Sequence, residues 1–311
     1  MNKHWLIYSC GFAVFLISYL ILPLYIHGDL VDYNFVYQQI EGINPLLSFV
    51  TYKGLIGSSE LIHFILIWVF SNLGLDRVIF LSGVNALLIV SFMYAGRRFR
   101  VPYTILLFIG ILSFYFAVLY TELERLKVAC VFLFFAFSIK NEKKRNFLLS
   151  LSILSHLQIA ILFLGPIMAQ FFKKIYRFFT TYKFSQKFLI PLIFGVFTIS
   201  FLGDHIMKKT IHYFQGLDFV SLLKSFPLIV LSLLYSRNFK RSLIVLFPII
   251  FAILIFSSNR LNILLYFVFL YYAFQKNRGT NFLILVTSIY FIWTGINFYI
   301  NVIQTGRGYN F

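Results

Sequence analysis

Charge is scarce in this chain: 12% of its 311 residues are charged, and only ten are Asp or Glu. Soluble domains carry about a quarter, so an ordinary water-soluble fold is excluded. Polar stretches are short as well. None between apolar runs is long enough to build its own core, which excludes a single-span protein carrying a large soluble domain. Cysteine is nearly absent. Cys10 and Cys130 both fall inside apolar runs, so a disulfide scaffold is excluded, and no Cys/His cluster stands at metal-ligand spacing.

What is present is hydrocarbon. The chain is 60% hydrophobic with 41 Phe and a mean hydropathy of +0.86. That composition is one of a polytopic membrane protein, whose chemistry takes place in the bilayer or at its surface. The net charge of +17 raises nucleic acid as a partner. The cations, however, sit in short clusters between apolar runs, which is the pattern of a topology signal, and no nucleic-acid partner is expected.

The first run, 5–26, is about twenty residues long and no small-residue cleavage site follows it, so it reads as a retained span. Further runs cover 78–95, 103–120, 126–139, 147–172, 188–202, 219–235, 243–256, 261–274 and 282–303. The expected fold is all-α: one polytopic integral membrane domain over 1–311, with about 9–11 hydrophobic helical segments, some short or re-entrant. Within it, 27–76 is expected to be an outer loop with an amphipathic helix.

Orientation follows from the basic clusters, Arg97–Arg98–Arg100, Lys140 with Lys143–Lys144–Arg145, the cations of 173–187, Arg237–Lys240–Arg241 and Lys276–Arg278. Placed in the cytoplasm with Lys3, they bring Glu142 alone of the ten acids with them. This arrangement requires 147–172 to be a broken hairpin that enters and leaves on the cytoplasmic side. Ser152, Ser155, His156, Gln158, Gly165 and Pro166 supply polar and helix-breaking content for it. The alternative is a single crossing against a weak charge bias.

The opposite, outer face is acidic and polar. Residues 27–41 hold three carboxylates and three amides. Asp29 and Asp32, three apart, can share one face of a helical turn as a general base or a divalent-metal pair, or serve as helix caps in a solvated loop. Residues 58–73 begin amphipathic and continue apolar, as an interfacial helix does. Thr121-Glu-Leu-Glu-Arg-Leu-Lys127 sets four charges at the mouth of a short span, where ionisable groups are costly. Arg125 and Lys127 can hold a diphosphate there, or Glu122 and Glu124 can neutralise them. His156, with Ser152 and Ser155 nearby, is a catalyst or an interhelical hydrogen-bonder. Arg260 repeats the logic of Arg125, a cation at the outer start of an apolar helix. Asp204, His205, Lys208, Lys209, His212 and Asp218 fill another outer loop, and 306–309 read as a frayed terminus.

The order of these features resembles the EpsG-type family of bacterial polysaccharide polymerases, similar in role to Wzy-type O-antigen polymerases. The matching pieces are Asp32-Tyr33 and Tyr37 in the first outer loop, and Glu60 opening a segment that ends in Leu73-Gly-Leu-Asp76. They continue with Glu124-Arg125-Leu-Lys-Val-Ala129 at the head of a short span and Ser155-His156-Leu-Gln-Ile-Ala160 in the next apolar run. The likeness covers 1–170; beyond it, Arg260 with Tyr266-Phe267 is similar. The chain departs from the pattern at Lys127, where a small or amide residue is usual, and at Ser155, where an aromatic commonly precedes the His.

The resemblance implies a bacterial inner-membrane glycosyltransferase, similar to GT-C-like membrane folds. It would move a growing glycan from undecaprenyl diphosphate onto a new undecaprenyl-diphosphate-linked oligosaccharide on the periplasmic face. Asp32 is then the expected base, with Asp29 in reserve. Arg125 and Arg260 are the expected cations for the leaving diphosphate, and His156 donates a proton or orients one of them. Tyr33, Glu60, Glu124 and Lys127 complete the expected substrate-binding set with Asp29. No cofactor is expected, although Asp29 and Asp32 leave a metal-assisted variant open. Membrane lipids, a chain-length regulator and a flippase are the implied partners. Rival classes are a transporter or flippase, which wants charges near the bilayer midplane, and a multi-pass O-acyltransferase, which wants a catalytic His reachable from the cytoplasm.

Overall fold

A computed structural model describes residues 3–181, 218–256 and 259–308. Among them the chain is all-helical with no strand. The run 188–202, the loop residues Asp204, His205, Lys208, Lys209 and His212, the cations from Lys183 to Lys187, and Tyr309 lie outside the described residues. The chain divides into two compact units, one of Met1–Ile159 with Ala273–Phe311 and the other of Ala160–Tyr272.

Four helices of the first unit form its bundle: α1 (Lys3–Ile21), α5 (Arg77–Arg98), α8 (Glu124–Ser138) and α9 (Glu142–Ser155). Their directions follow from side-chain contacts near both ends. Arg77 reaches Glu124 while Arg98 donates to the carbonyls of Phe137 and Ile139, so α5 and α8 run in parallel. Helix α1 runs opposite to α5, because His4 and Tyr8 meet Tyr94 while Asn85 donates to Ser18. Gly11 makes the crossing close: a Cβ there would stand 2.8 Å from Val90 Cγ2. Helix α9 returns along α8, with Ser152 Oγ donating to the Ala129 carbonyl at 2.7 Å.

Between α1 and α5 lie α2 (Asp29–Gln39), α3 (Pro45–Ile56) and α4 (Leu61–Asn72). Asn44 caps α3, and Gly57, at φ +64°, ends it in the left-handed conformation that favours glycine. The chain then turns, and α4 leaves at 116° to α3. The expected outer loop 27–76 thus contains an apolar arm, α3, that sequence reading did not register as a run.

A second bent pair is α6 (Tyr103–Leu112) and α7 (Phe114–Thr121), 53° apart across Ser113. A break in an apolar helix frees carbonyls that hydrocarbon cannot satisfy. Here Tyr120 donates to Gly110 O at 2.6 Å, and Tyr299 of α14 (Phe282–Thr305) donates to Ile111 O at 3.1 Å. Gly295 lets α14 seat on the break, since a Cβ there would lie 2.0 Å from the Leu112 carbonyl oxygen. Past α14 the chain is not frayed as far as Gly308: Ile26 N–H donates to Gly306 O at 3.0 Å, and Gly308 packs against the Phe298 ring.

The second unit holds α10 (Ile161–Thr181), α11 (Phe219–Tyr235), α12 (Phe239–Phe256) and most of α13 (Asn259–Gln275). Gly165 brings α10 onto α12, where a Cβ would meet the Ile244 carbonyl at 1.8 Å. Ser225 of α11 donates to Asn262 of α13 at 2.5 Å.

By length and composition, four described helices can cross a membrane: His4–Leu24, Arg77–Arg98, Phe239–Phe256 and Phe282–Thr305. Counting each bent pair as one span makes six. This is a polytopic membrane architecture, and among the described residues several of the helical segments expected to be short or re-entrant are shorter than a full span. The physical reason is local. Ser113 interrupts one run, α8 reaches only 15 residues because charges open it, and 147–172 is divided by a turn at Leu157–Ala160.

Candidate active site

Several helix ends of the first unit meet in one place, and each brings a side chain able to do chemistry. Glu60 occupies the N-cap position of α4, yet its carboxylate makes no cap bond. Instead Arg125, in the first turn of α8, donates from Nη1 to Glu60 Oε2 at 2.8 Å. His156, which terminates α9 in extended backbone, lies with Nδ1 at 2.6 Å from Glu60 Oε1. The remaining imidazole nitrogen, Nε2, is 3.0 Å from Gln158 Oε1. A carboxylate that accepts at Nδ1 fixes the tautomer with the proton there, and Nε2 is then an acceptor that the Gln158 amide satisfies by turning its NH2 toward the ring.

A second set repeats the combination of carboxylate, guanidinium and imidazole. Arg77, the first residue of α5, donates from Nη2 to Glu124 Oε2 at 2.6 Å. His63 Nε2 lies 3.3 Å from Glu124 Oε1, and its Nδ1 is 3.0 Å from the Tyr52 hydroxyl. Tyr52 therefore donates to Nδ1 while Nε2–H donates to Glu124. Tyr33 of α2 stands between the two sets: the Arg125 guanidinium lies over its ring at 5.7 Å, and His63 meets the ring edge-on at 5.3 Å.

Burial orders the site. The carboxylates are sunk, with side-chain exposures of 4% for Glu60 and 1% for Glu124, whereas Arg125 and Arg77 keep 11% and 10%. The arginine side chain is thus the more accessible member of each pair. Three helices, α4, α5 and α8, also begin here, and their N-terminal dipole ends favour negative charge, which Asp76 already supplies as the cap of α5. Breaking either buried pair by removing one partner would strand a charge, at a cost of about 3–5 kcal/mol.

Of the expected site residues, Tyr33, Glu60, Glu124, Arg125 and His156 come together. Lys127 does not present its ammonium to a ligand: it is buried, and Nζ donates to the Tyr120 carbonyl at 3.0 Å, tying α8 to the last turn of α7. Asp32 is exposed on α2, and Asp29 is half-buried in the first turn of the same helix. Arg260 stands half-buried in the first turn of α13, in the other unit.

Sequence reading missed Arg77, His63 and Tyr52. Arg77 carried the same signal as Arg125 and Arg260, an arginine heading an apolar helix at the acidic end. His63 lay inside a segment noted only for amphipathicity, and Tyr52 in one taken as loop. Among the described residues no three His, Cys, Asp or Glu side chains converge as metal ligands. No protein-family model matches the chain, and neither a curated protein nor a solved structure matches it at a significant level.

Proposed function

We propose that this chain is a bacterial membrane glycosyltransferase that polymerises oligosaccharide repeat units carried on a polyprenyl diphosphate, working at the face opposite its basic loops. The observation that carries the reading is the Glu60–Arg125–His156 set, which puts a carboxylate-held imidazole and a guanidinium in one place at the ends of membrane helices. It supplies the two things such a transfer needs, a proton acceptor for a sugar hydroxyl and a cation for a departing diphosphate.

In the proposed step the acceptor hydroxyl gives its proton to His156 Nε2 as its oxygen bonds to the anomeric carbon of the growing chain. The bond from that carbon to the diphosphate oxygen breaks, and Arg125 takes up the charge that develops on the leaving group. Glu60 holds the imidazole in the tautomer whose Nε2 accepts once the sugar hydroxyl displaces the Gln158 side chain from it, and it stabilises the imidazolium once formed, in the manner of a carboxylate behind a catalytic histidine. Arg77, whose side chain is exposed to a similar extent, adds a second cation. The base is assigned to His156 rather than Asp32, because Glu60 holds the His156 imidazole beside Arg125, whereas Asp32 is exposed on α2. Tyr33 orients Arg125 through its ring.

Deletion of the gene in its own host tests the reading. Surface polysaccharide run on a gel beside the parent and a complemented strain should lose its ladder and retain single repeat units. An intact ladder with altered modification would indicate an acyltransferase, and accumulation of inward-facing lipid-linked precursor would indicate a flippase.

A further inference from the structure

In each pair of the site the arginine side chain is more exposed than its carboxylate, 11% against 4% for Arg125 and Glu60 and 10% against 1% for Arg77 and Glu124. The two pairs differ in how they are anchored. Glu124 and Arg77 sit in the first turns of two parallel, closely packed helices. Glu60 is instead carried by the link 57–60 between the bent arms α3 and α4, makes no cap bond, and spends its two oxygens on different partners, Oε2 on Arg125 and Oε1 on His156. One oxygen can therefore be released while the other keeps the imidazole.

We infer that Glu60 Oε2 occupies the phosphate-binding position of Arg125 in the empty protein, and that a substrate diphosphate binds by displacing it. A carboxylate and a phosphate offer guanidinium the same geometry, two acceptor oxygens facing a planar fork. The exchange replaces one anion by another over the same cation, so Arg125 is never left buried and unpaired. It also couples the two halves of the site: Glu60 turns wholly to His156 only when a diphosphate is seated, so the base is completed by the substrate. This rests on the reading of Arg125 as the diphosphate ligand.

The test is binding of inorganic pyrophosphate to the full-length chain in detergent, measured by titration calorimetry. Glu60→Gln, which keeps the shape and removes the competing charge, should bind pyrophosphate at least about tenfold more tightly than the parent, the usual scale of a charge-assisted contact. Adding Arg125→Ala should abolish the gain. Asp76→Ser is the control for charge alone: Asp76 stands next to Arg77 and caps α5, and serine keeps a cap while removing the carboxylate. It should change affinity less than about twofold, as its charge is exposed and screened. Glu60→Asp, a second variant that keeps the charge but shortens its reach, should give an intermediate gain. Equal affinity in Glu60→Gln and the parent, or an equal gain in Asp76→Ser, overturns the exchange. A ladder lost on gene deletion with no pyrophosphate binding by any variant would also overturn it and leave the polymerase reading standing. A specific gain in Glu60→Gln together with an unchanged ladder on deletion would uphold the exchange and remove that reading.

Discussion

The two ends of the bundle formed by α1, α5, α8 and α9 are both charged, and they handle charge in opposite ways. At one end Arg98, Arg100, Lys140, Lys143 and Lys144 are exposed, and the ion pair there, Arg145 with Glu142, is 4.0 Å long with Glu142 77% exposed. At the other, Glu60, Glu124, His63 and His156 are buried and each is held by hydrogen bonds. Exposed cations in short loops cost nothing and orient a chain in a membrane. Buried charge costs several kcal/mol per ion before pairing recovers it, and hydrophobic side chains of similar volume would serve stability as well. Under the proposed function, the contrast separates charge kept for topology from charge kept for chemistry.

The largest effect expected from breaking this contrast is on stability. Glu124→Ala should strand Arg77 beside His63 and cost about 3–5 kcal/mol, seen as a lower unfolding temperature or loss of monodisperse protein in detergent. Glu142→Ala at the opposite end should leave the unfolding temperature unchanged; equal effects would erase the distinction. His156→Gln should next lower polymer yield about a hundredfold or more, the ordinary contribution of a general base, with protein abundance preserved. His63→Gln should reduce chain length less than His156→Gln, because its imidazole acts through Glu124 and Tyr52. Asp32→Asn should give a nearly normal ladder, since surface substitutions away from partners change stability by less than about 0.5 kcal/mol. A ladder lost in Asp32→Asn would return the base to the first outer loop.

Much of the site was legible in the sequence because charge is so rare there. Glu124 and Arg125 declared themselves by standing in an apolar chain, as did Glu60 and His156 through their order. What was not legible was pairing. Glu60 and Arg125 are 65 positions apart, His156 and Glu60 96 apart, and no local periodicity reports such contacts. Lys127 misled for a related reason: on a helix it is one turn from Glu124, and only the carbonyl exposed at the end of α7 shows why its ammonium points inward. The fold was legible in its class, and its breaks less so. Hydropathy counts an apolar residue wherever it lies, so it saw 103–120 as one span across the break at Ser113. It also passed over α3, whose Thr51, Lys53 and Gly54 dilute an apolar arm.

The central claim, that the buried charge at one end of the bundle performs the transfer, is tested most directly at Arg125. Arg125→Lys keeps a cation near Glu60 and so spares the fold, but it replaces the planar fork by a point charge. In a strain lacking the native gene, with the variant at parental abundance, surface polysaccharide should run on a gel as single repeat units without a ladder. A full-length ladder from that strain would contradict the account.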